Sequence, residues 1–238
     1  MKRLLILNSK GGCGKTTIAT NLAGYYASLG IPTALLDYDP QGSSHRWLEI
    51  RSEKLSNIHG VFAAKPIQGG VTRSFALRVP GETERIVVDT PASMKRLEMM
   101  EMLRSASAVI VPMLPSAIDR HVTLNFLEEL TTLCRQMGVD IPVGIVANRV
   151  RLNTRAFKLL QQTLTALDVP LVAFLRDTQN YVSASETGCA IVEQKTASMK
   201  KDQPQWDALI EWLEGGRLSS RSISEEVGHQ PSVVPHTN

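Results

Sequence analysis

The sequence predicts an α/β protein, a mostly parallel twisted sheet with helices on both faces. Three observations carry that prediction. Short apolar runs alternate along the chain with stretches of helical periodicity. The runs are apolar on both faces, as strands covered on two sides must be. A polar residue follows each of four runs (Ser9, Asp39, Asp89 and Asn148). In such a sheet that end of the strands is where ligands bind.

The elements follow in order. Residues 3–8 are the first strand, and 15–29 form a helix with Ile18, Leu22, Ala23, Tyr26 and Leu29 at helical spacing, stopped by Gly30 with Pro32 beyond. Residues 32–37 are a second buried strand, and 44–54 a helix. From 55 to 80 the pattern weakens; Ile58 to Phe62 and Phe75 to Val79 are short strands around a brief helix. Residues 85–91 hold a buried strand ending in an acid, 94–105 a helix, and 108–112 a strand. The stretch 119–137 is a long amphipathic helix closed by Gly138. Residues 142–147 are a strand ending at Asn148-Arg149, followed by a helix over 154–167 and a strand over 170–175. Helices near 181–186 and 204–214 finish the domain, residues 1–214. Residues 215–238 are polar, poor in large apolar groups and carry Pro231 and Pro235, which predicts a disordered tail.

The chemistry begins at Ser9-Lys10-Gly11-Gly12-Cys13-Gly14-Lys15-Thr16-Thr17, between the first strand and its helix. Strand, glycine-rich turn and helix are the context of a phosphate loop, placing the fold in the P-loop NTPase type. Glycines let several N–H groups converge on one anion, and the helix N-terminus adds its partial positive charge. Lys15 can neutralise β/γ-phosphate oxygens, and the Thr16 hydroxyl can ligate Mg²⁺. Asp39, beyond the second strand, can orient a nucleophilic water directly or through Mg²⁺-bound water. Asp89 is a strand-end carboxylate suited to holding Mg²⁺ through water. These residues suit a nucleoside triphosphate with Mg²⁺.

The general phosphate-loop pattern wants glycine at position 9, where this chain has Ser9, and Lys10 is an extra lysine. KGGCGKTT, DYDPQGS, VVDTPAS and VANRV together resemble the deviant Walker A, switch I, switch II and base-edge motifs of the ParA/MinD family of dimeric ATPases. The resemblance implies that the cofactors are ATP and Mg²⁺. It also implies that Lys10 reaches a partner's nucleotide, so that Lys10, Lys15 and Asp39 form the catalytic set. Gly11, Gly12, Cys13, Gly14, Lys15, Thr16 and Thr17 bind phosphates, and Thr16, Asp39 and Asp89 serve the metal. It also places the Asn148 side chain on the adenine edge, with Pro112 near the base and Arg176, Asp177 or Tyr181 as a further wall. Asp37 is then structural. Ala92 stands where the family has a second proline, and Cys13 fills a small, variable position.

Composition bounds the rest. Hydrophobic residues make up 43% and charged residues 21% of 238, ordinary for one globular α/β domain. Three scattered cysteines without a CxxC fit a reducing cytosol and argue against a cysteine metal site. No stretch approaches the roughly 18–20 apolar residues of a membrane span, and the N-terminus is no signal peptide. Ser219 to Asn238 has no apolar face opposed by lysines, against a MinD-like membrane anchor. Residues 90–133 hold no cysteine, against an iron–sulfur relative. The chain begins at its first strand, leaving no room for an N-terminal DNA-reading domain.

The net charge of +3 is small, but the basic residues cluster. Arg149, Arg151, Arg155 and Lys158 lie within ten positions free of acids, and Lys195, Lys200 and Lys201 within seven. Such clusters suit phosphate-driven binding of double-stranded DNA without sequence preference. The resemblance implies a cytoplasmic, nucleoid-associated bacterial ATPase that is a homodimer in its ATP state. A cargo-linked adaptor would stimulate hydrolysis, and the cargo would be a plasmid, a chromosome region or a protein organelle such as a carboxysome. The alternatives are a membrane-associated spatial regulator and a metabolic ligase of the dethiobiotin-synthetase kind.

Overall fold

The structure, a computed structural model, describes residues 1–64, 77–152, 154–165 and 169–215. Its strands are β1 (Lys2–Ile6), β2 (Thr33–Asp37), β3 (His59–Phe62), β4 (Arg85–Asp89), β5 (Ala108–Met113), β6 (Val143–Val150) and β7 (Leu171–Arg176). They form one parallel sheet in the order β3-β2-β4-β1-β5-β6-β7. The winding reverses after β4, which leaves a crevice at the carboxyl end of β1, the place such sheets offer to ligands.

The helices are α1 (Lys15–Ser28), α2 (Ser43–Glu49), α3 (Arg96–Leu103), α4 (Ala117–Met137), α5 (Arg155–Thr165), α6 (Asn180–Glu186), α7 (Ala197–Lys200) and α8 (Asp207–Leu213). Alternate strand residues point to opposite faces, so each run feeds two cores. Leu4, Ile6, Leu35, Val87 and Ile110 pack under Ile18, Leu22 and Tyr26 of α1, with Trp47 and Trp206 at the sides. Leu5, Leu7, Leu36, Val88 and Val111 pack under Leu103, Phe126, Leu130 and Phe157. All of these side chains are at most 4% exposed, each worth about 1.5–3 kcal/mol of transfer free energy.

Several elements differ from the sequence expectation for identifiable reasons. α2 stops at Glu49 rather than 54 because Arg51 turns away into a buried ion pair with Glu193. Gly188 passes so close that a Cβ there would lie 2.6 Å from the Arg51 Cα, and its φ of +63° suits glycine alone. β6 does not end at Asn148-Arg149. It bulges there, with a register shift between Ala147 and Val150 and Arg149 at φ 52°, and then resumes. The expected helix over 204–214 is split into a 3-10 turn at Gln203–Trp206 and α8. The 3-10 turn at Ile191–Glu193 and the short α7 were not foreseen. Residues 77–79 form no strand. The rest of the expected strand at 75–79, the brief helix before it and the tail from 216 lie outside the described residues.

The Arg51–Glu193 pair ties α2 to the segment after α6. Both side chains are nearly inaccessible, at 4% and 3%. Arg51 also donates to the carbonyls of Gly188 and Ser56 and stacks 5.2 Å over the Trp47 ring. Removing one partner strands a buried charge, which costs far more than the pair contributes. Glu193→Ala is expected to cost about 3 kcal/mol of stability, read as a lower urea midpoint; a loss within experimental error would mean that water reaches Arg51.

Candidate nucleotide site

The loop between β1 and α1 is held by side chains that satisfy its backbone. The Lys15 ammonium is buried and donates to the carbonyls of Asn8 at 3.2 Å and Lys10 at 3.0 Å. The Cys13 thiol donates to the Lys10 carbonyl at 3.2 Å, and burial pushes its pKa up, so this thiol is no reactive thiolate. The Asn148 amide donates to the Cys13 carbonyl at 2.9 Å, while its oxygen accepts from the Arg149 N–H at 2.9 Å. Helix α1 starts at Gly14 without a side-chain cap and without an acid in its first turn. Its first amides and its dipole are therefore left to an external anion.

The strand ends bring the acids together. Ile6, Asp89 and Asp37 stand abreast in the registers of β1, β4 and β2. Asp37 is spent on structure: one oxygen accepts from the Asp39 N–H, the other from the His45 N–H, each at 2.9 Å. Asp39 is half-buried and accepts from the Gln41 N–H at 2.9 Å, which fixes the turn after β2. The Thr16 hydroxyl donates to Asp89 Oδ2 at 2.8 Å. Burial raises the Asp89 pKa to about 7; the Thr16 hydroxyl opposes that, and the neighbouring Asp37 adds to it.

Thr16 and Asp89 fit Mg²⁺. Asp89 Oδ1 is buried without a hydrogen-bond partner, beside the hydroxyl a Mg²⁺ ion would take. Among the described residues no cluster of three or more His, Cys, Asp or Glu could hold a metal.

A cavity of about 470 Å³ opens beside the loop, lined by Thr17, Asn148, Arg149, Arg176, Asp177 and Tyr181 among others. Its size suits a nucleoside. Arg176 is braced by Asp202, which is fully buried and accepts from the Arg176 guanidinium at 2.9 Å. Pro112 lies within β5, does not line the cavity, and accepts at its carbonyl from the Asn8 amide at 2.6 Å.

The basic residues divide. Arg149 lines the cavity beside the loop. Arg151 is paired with Asp177 at 2.7 Å, an acid the sequence window did not contain. Arg155 and Lys158 are exposed on α5; Lys195, Lys200 and Lys201 are exposed on or beside α7. The Lys10 side chain is 36% exposed, and its ammonium lies 3.6 Å from Asp119 at the start of α4. Sequence reasoning passed over Asn8, Asp119 and Thr123. Asn8 directly precedes the loop and was legible as a polar strand end; the two α4 residues gave no signal.

Gly14 carries the tightest approach in the site. At φ +99° a Cβ would lie 2.0 Å from the Asn148 amide nitrogen. Gly14→Ala is expected to weaken ADP affinity about tenfold or more, since both the left-handed strain and the displaced Asn148 act on the loop. Titration calorimetry with unchanged affinity would show that the loop can shift freely.

Comparison with known proteins agrees with this geometry. The family model for the CobQ/CobB/MinD/ParA nucleotide-binding domain matches residues 4–191. The maintenance of carboxysome distribution protein A of Halothiobacillus neapolitanus is 27% identical over 172 residues, covering 71% of this chain and 76% of the relative. The protein of the same name from Gloeobacter kilaueensis is 27% identical over 216 residues, covering 88% and 92%. A putative plasmid partition protein of Borrelia burgdorferi, solved bound to AMPPNP, superposes with a TM-score of 0.67 at 17% identity, covering 89% of this chain and 99% of that one. A match over most of the domain, on a sheet that carries the phosphate loop at its switch point, makes this chain an ATPase of the CobQ/CobB/MinD/ParA nucleotide-binding family.

Proposed function

We propose that the chain is a ParA-type positioning ATPase that pairs around two Mg-ATP molecules, binds duplex DNA without sequence preference and moves a cargo. The observation that carries this reading is Lys10. Its backbone belongs to the phosphate loop, while its side chain is about one-third exposed (36%) and its ammonium makes a long contact, 3.6 Å, to Asp119. A lysine so placed can leave its own subunit for the phosphates of a second one.

Within one subunit Lys15 and the α1 N-terminus grip the phosphates, and Thr16 and Asp89 hold Mg²⁺. When bound, Mg²⁺ neutralises charge on the β- and γ-phosphate oxygens. Asp39 orients the attacking water. The cavity beside the loop takes the base. ATP contacts made across the pair favour the dimer, and loss of the γ-phosphate removes that preference. A cargo-linked adaptor protein sets the timing by stimulating hydrolysis. The two relatives named for carboxysome distribution support a protein organelle as cargo.

For DNA the exposed residues Arg155, Lys158, Lys195, Lys200 and Lys201 are the better candidates. Arg151 is discounted because Asp177 neutralises it, and Arg149 because it faces the nucleotide cavity. Among the described residues no helix is long and apolar enough to cross a membrane.

The test is retention of random-sequence duplex DNA with ATP and with ADP across a salt series. Retention is expected with ATP only, and the log–log salt slope of the R155A/K158A double variant is expected to fall by about 2. Equal retention in both nucleotides would contradict the switch. Lys15→Ala is expected to abolish nucleotide binding, whereas Lys10→Ala keeps ADP binding and loses the ATP-dependent dimer in light scattering. A Lys10→Ala protein that still pairs would remove the basis of the reading.

A further inference from the structure

Asn8 stands just before the phosphate loop and is 2% exposed. Its amide is engaged in three directions. Oδ1 accepts from the Lys10 N–H at 2.9 Å. Nδ2 donates to the Pro112 carbonyl at 2.6 Å and to the Thr123 hydroxyl at 3.0 Å. The orientation is unambiguous, because the Lys10 amide can only donate and the Pro112 carbonyl can only accept. The partners lie 104 and 115 residues away, on β5 and on α4.

Thr123 has no exposed surface. It lies one helical turn after Asp119, the residue that meets the Lys10 ammonium. Lys10 is thus tied to α4 at both ends: its backbone through Asn8 and Thr123, its head through Asp119. By contrast, Lys15 is held by backbone carbonyls, one of them that of Asn8 itself, and these do not depend on the Asn8 side chain.

We infer that Asn8, seated on Pro112 and Thr123, is the positioning residue for Lys10: it fixes the lysine backbone from which the side chain, once released from Asp119, reaches a second subunit. The inference rests on the reading of Lys10 given above. The physical gain is orientation. A long side chain on a free backbone pays more conformational entropy to reach a partner than one whose first bond is already aimed. The side-chain contacts of Asn8 run to Lys10, Pro112 and Thr123, so the side chain bears on the site through the Lys10 backbone.

Thr123→Val removes one acceptor without changing shape, Thr123→Ser restores it, and Asn8→Ala removes the whole bracket. Two readouts are taken from each full-length protein: affinity for a fluorescent ADP, which needs one chain, and dimer formation with AMPPNP by light scattering, which needs Lys10 aimed. Native protein is measured first; if it does not pair, the reading of Lys10 falls and this inference with it. Given native pairing, Thr123→Val and Asn8→Ala are expected to keep ADP affinity within about twofold and to weaken pairing about tenfold, with Thr123→Ser recovering most of the loss. Pairing equal to native in Thr123→Val, or ADP affinity and pairing falling in parallel, would overturn the inference while leaving the Lys10 reading in place. Should Asn8→Ala fail to fold, the Thr123 pair decides alone.

Discussion

A loop can present its N–H groups to an anion only if its carbonyl oxygens find donors elsewhere. This constraint organises the phosphate site. The carbonyls of Asn8 and Lys10 are taken by the Lys15 ammonium, that of Lys10 also by the Cys13 thiol, and that of Cys13 by Asn148. Each donor comes from a different place: the start of α1, the loop itself and the bulge in β6. Unpaired buried carbonyls would each cost about 1–3 kcal/mol, enough to let the loop invert its peptides. The bulge gains a purpose from this. It turns Asn148 toward the loop and Arg149 toward the cavity, which a regular strand could not do with adjacent residues on one rim.

The same crowding sets the electrostatics. Asp37 and Asp89 stand side by side at the sheet end, and only Asp37 has both oxygens paired. Asp89 holds a buried, half-satisfied carboxyl whose charge is disfavoured until a cation arrives. That arrangement makes the acid a poor structural element and a good metal acceptor. Asp37 is the reverse, saturated by the turn that carries Asp39. Two acids one strand apart thus have opposite uses, decided by which of them the following turn folds back upon.

Much of this was legible in the sequence because it is local. A run such as Arg85-Ile86-Val87-Val88-Asp89 states its strand, its burial and its polar end in five positions. The phosphate loop is contiguous, and its glycines specify its geometry. What escaped reading depends on pairs far apart in the chain. The end of α2 is set by Glu193, the neutralisation of Arg151 by Asp177, and the seat of Lys10 by Asp119 and Thr123. A window free of acids says nothing about acids the fold brings in. The bulge at Arg149 was hidden for a related reason: a positive φ at an arginine is not written in its neighbours but imposed by the contacts on either side.

The two halves of a nucleotide meet different kinds of wall here. The phosphate end is lined by the loop and the carboxyl ends of the central strands, whose side chains are buried on both faces. The cavity beside the loop is lined by the residues after β7 and by α6, a helix of seven residues with exposed neighbours. What steadies that wall is Asp202, which accepts from Arg176, Asn180 and Gln205 at once. Asp202 in turn lies between α7 and the 3-10 turn, beside Lys200 and Lys201. The segment that lines the cavity is therefore steadied by the same short stretch that carries exposed positive charge.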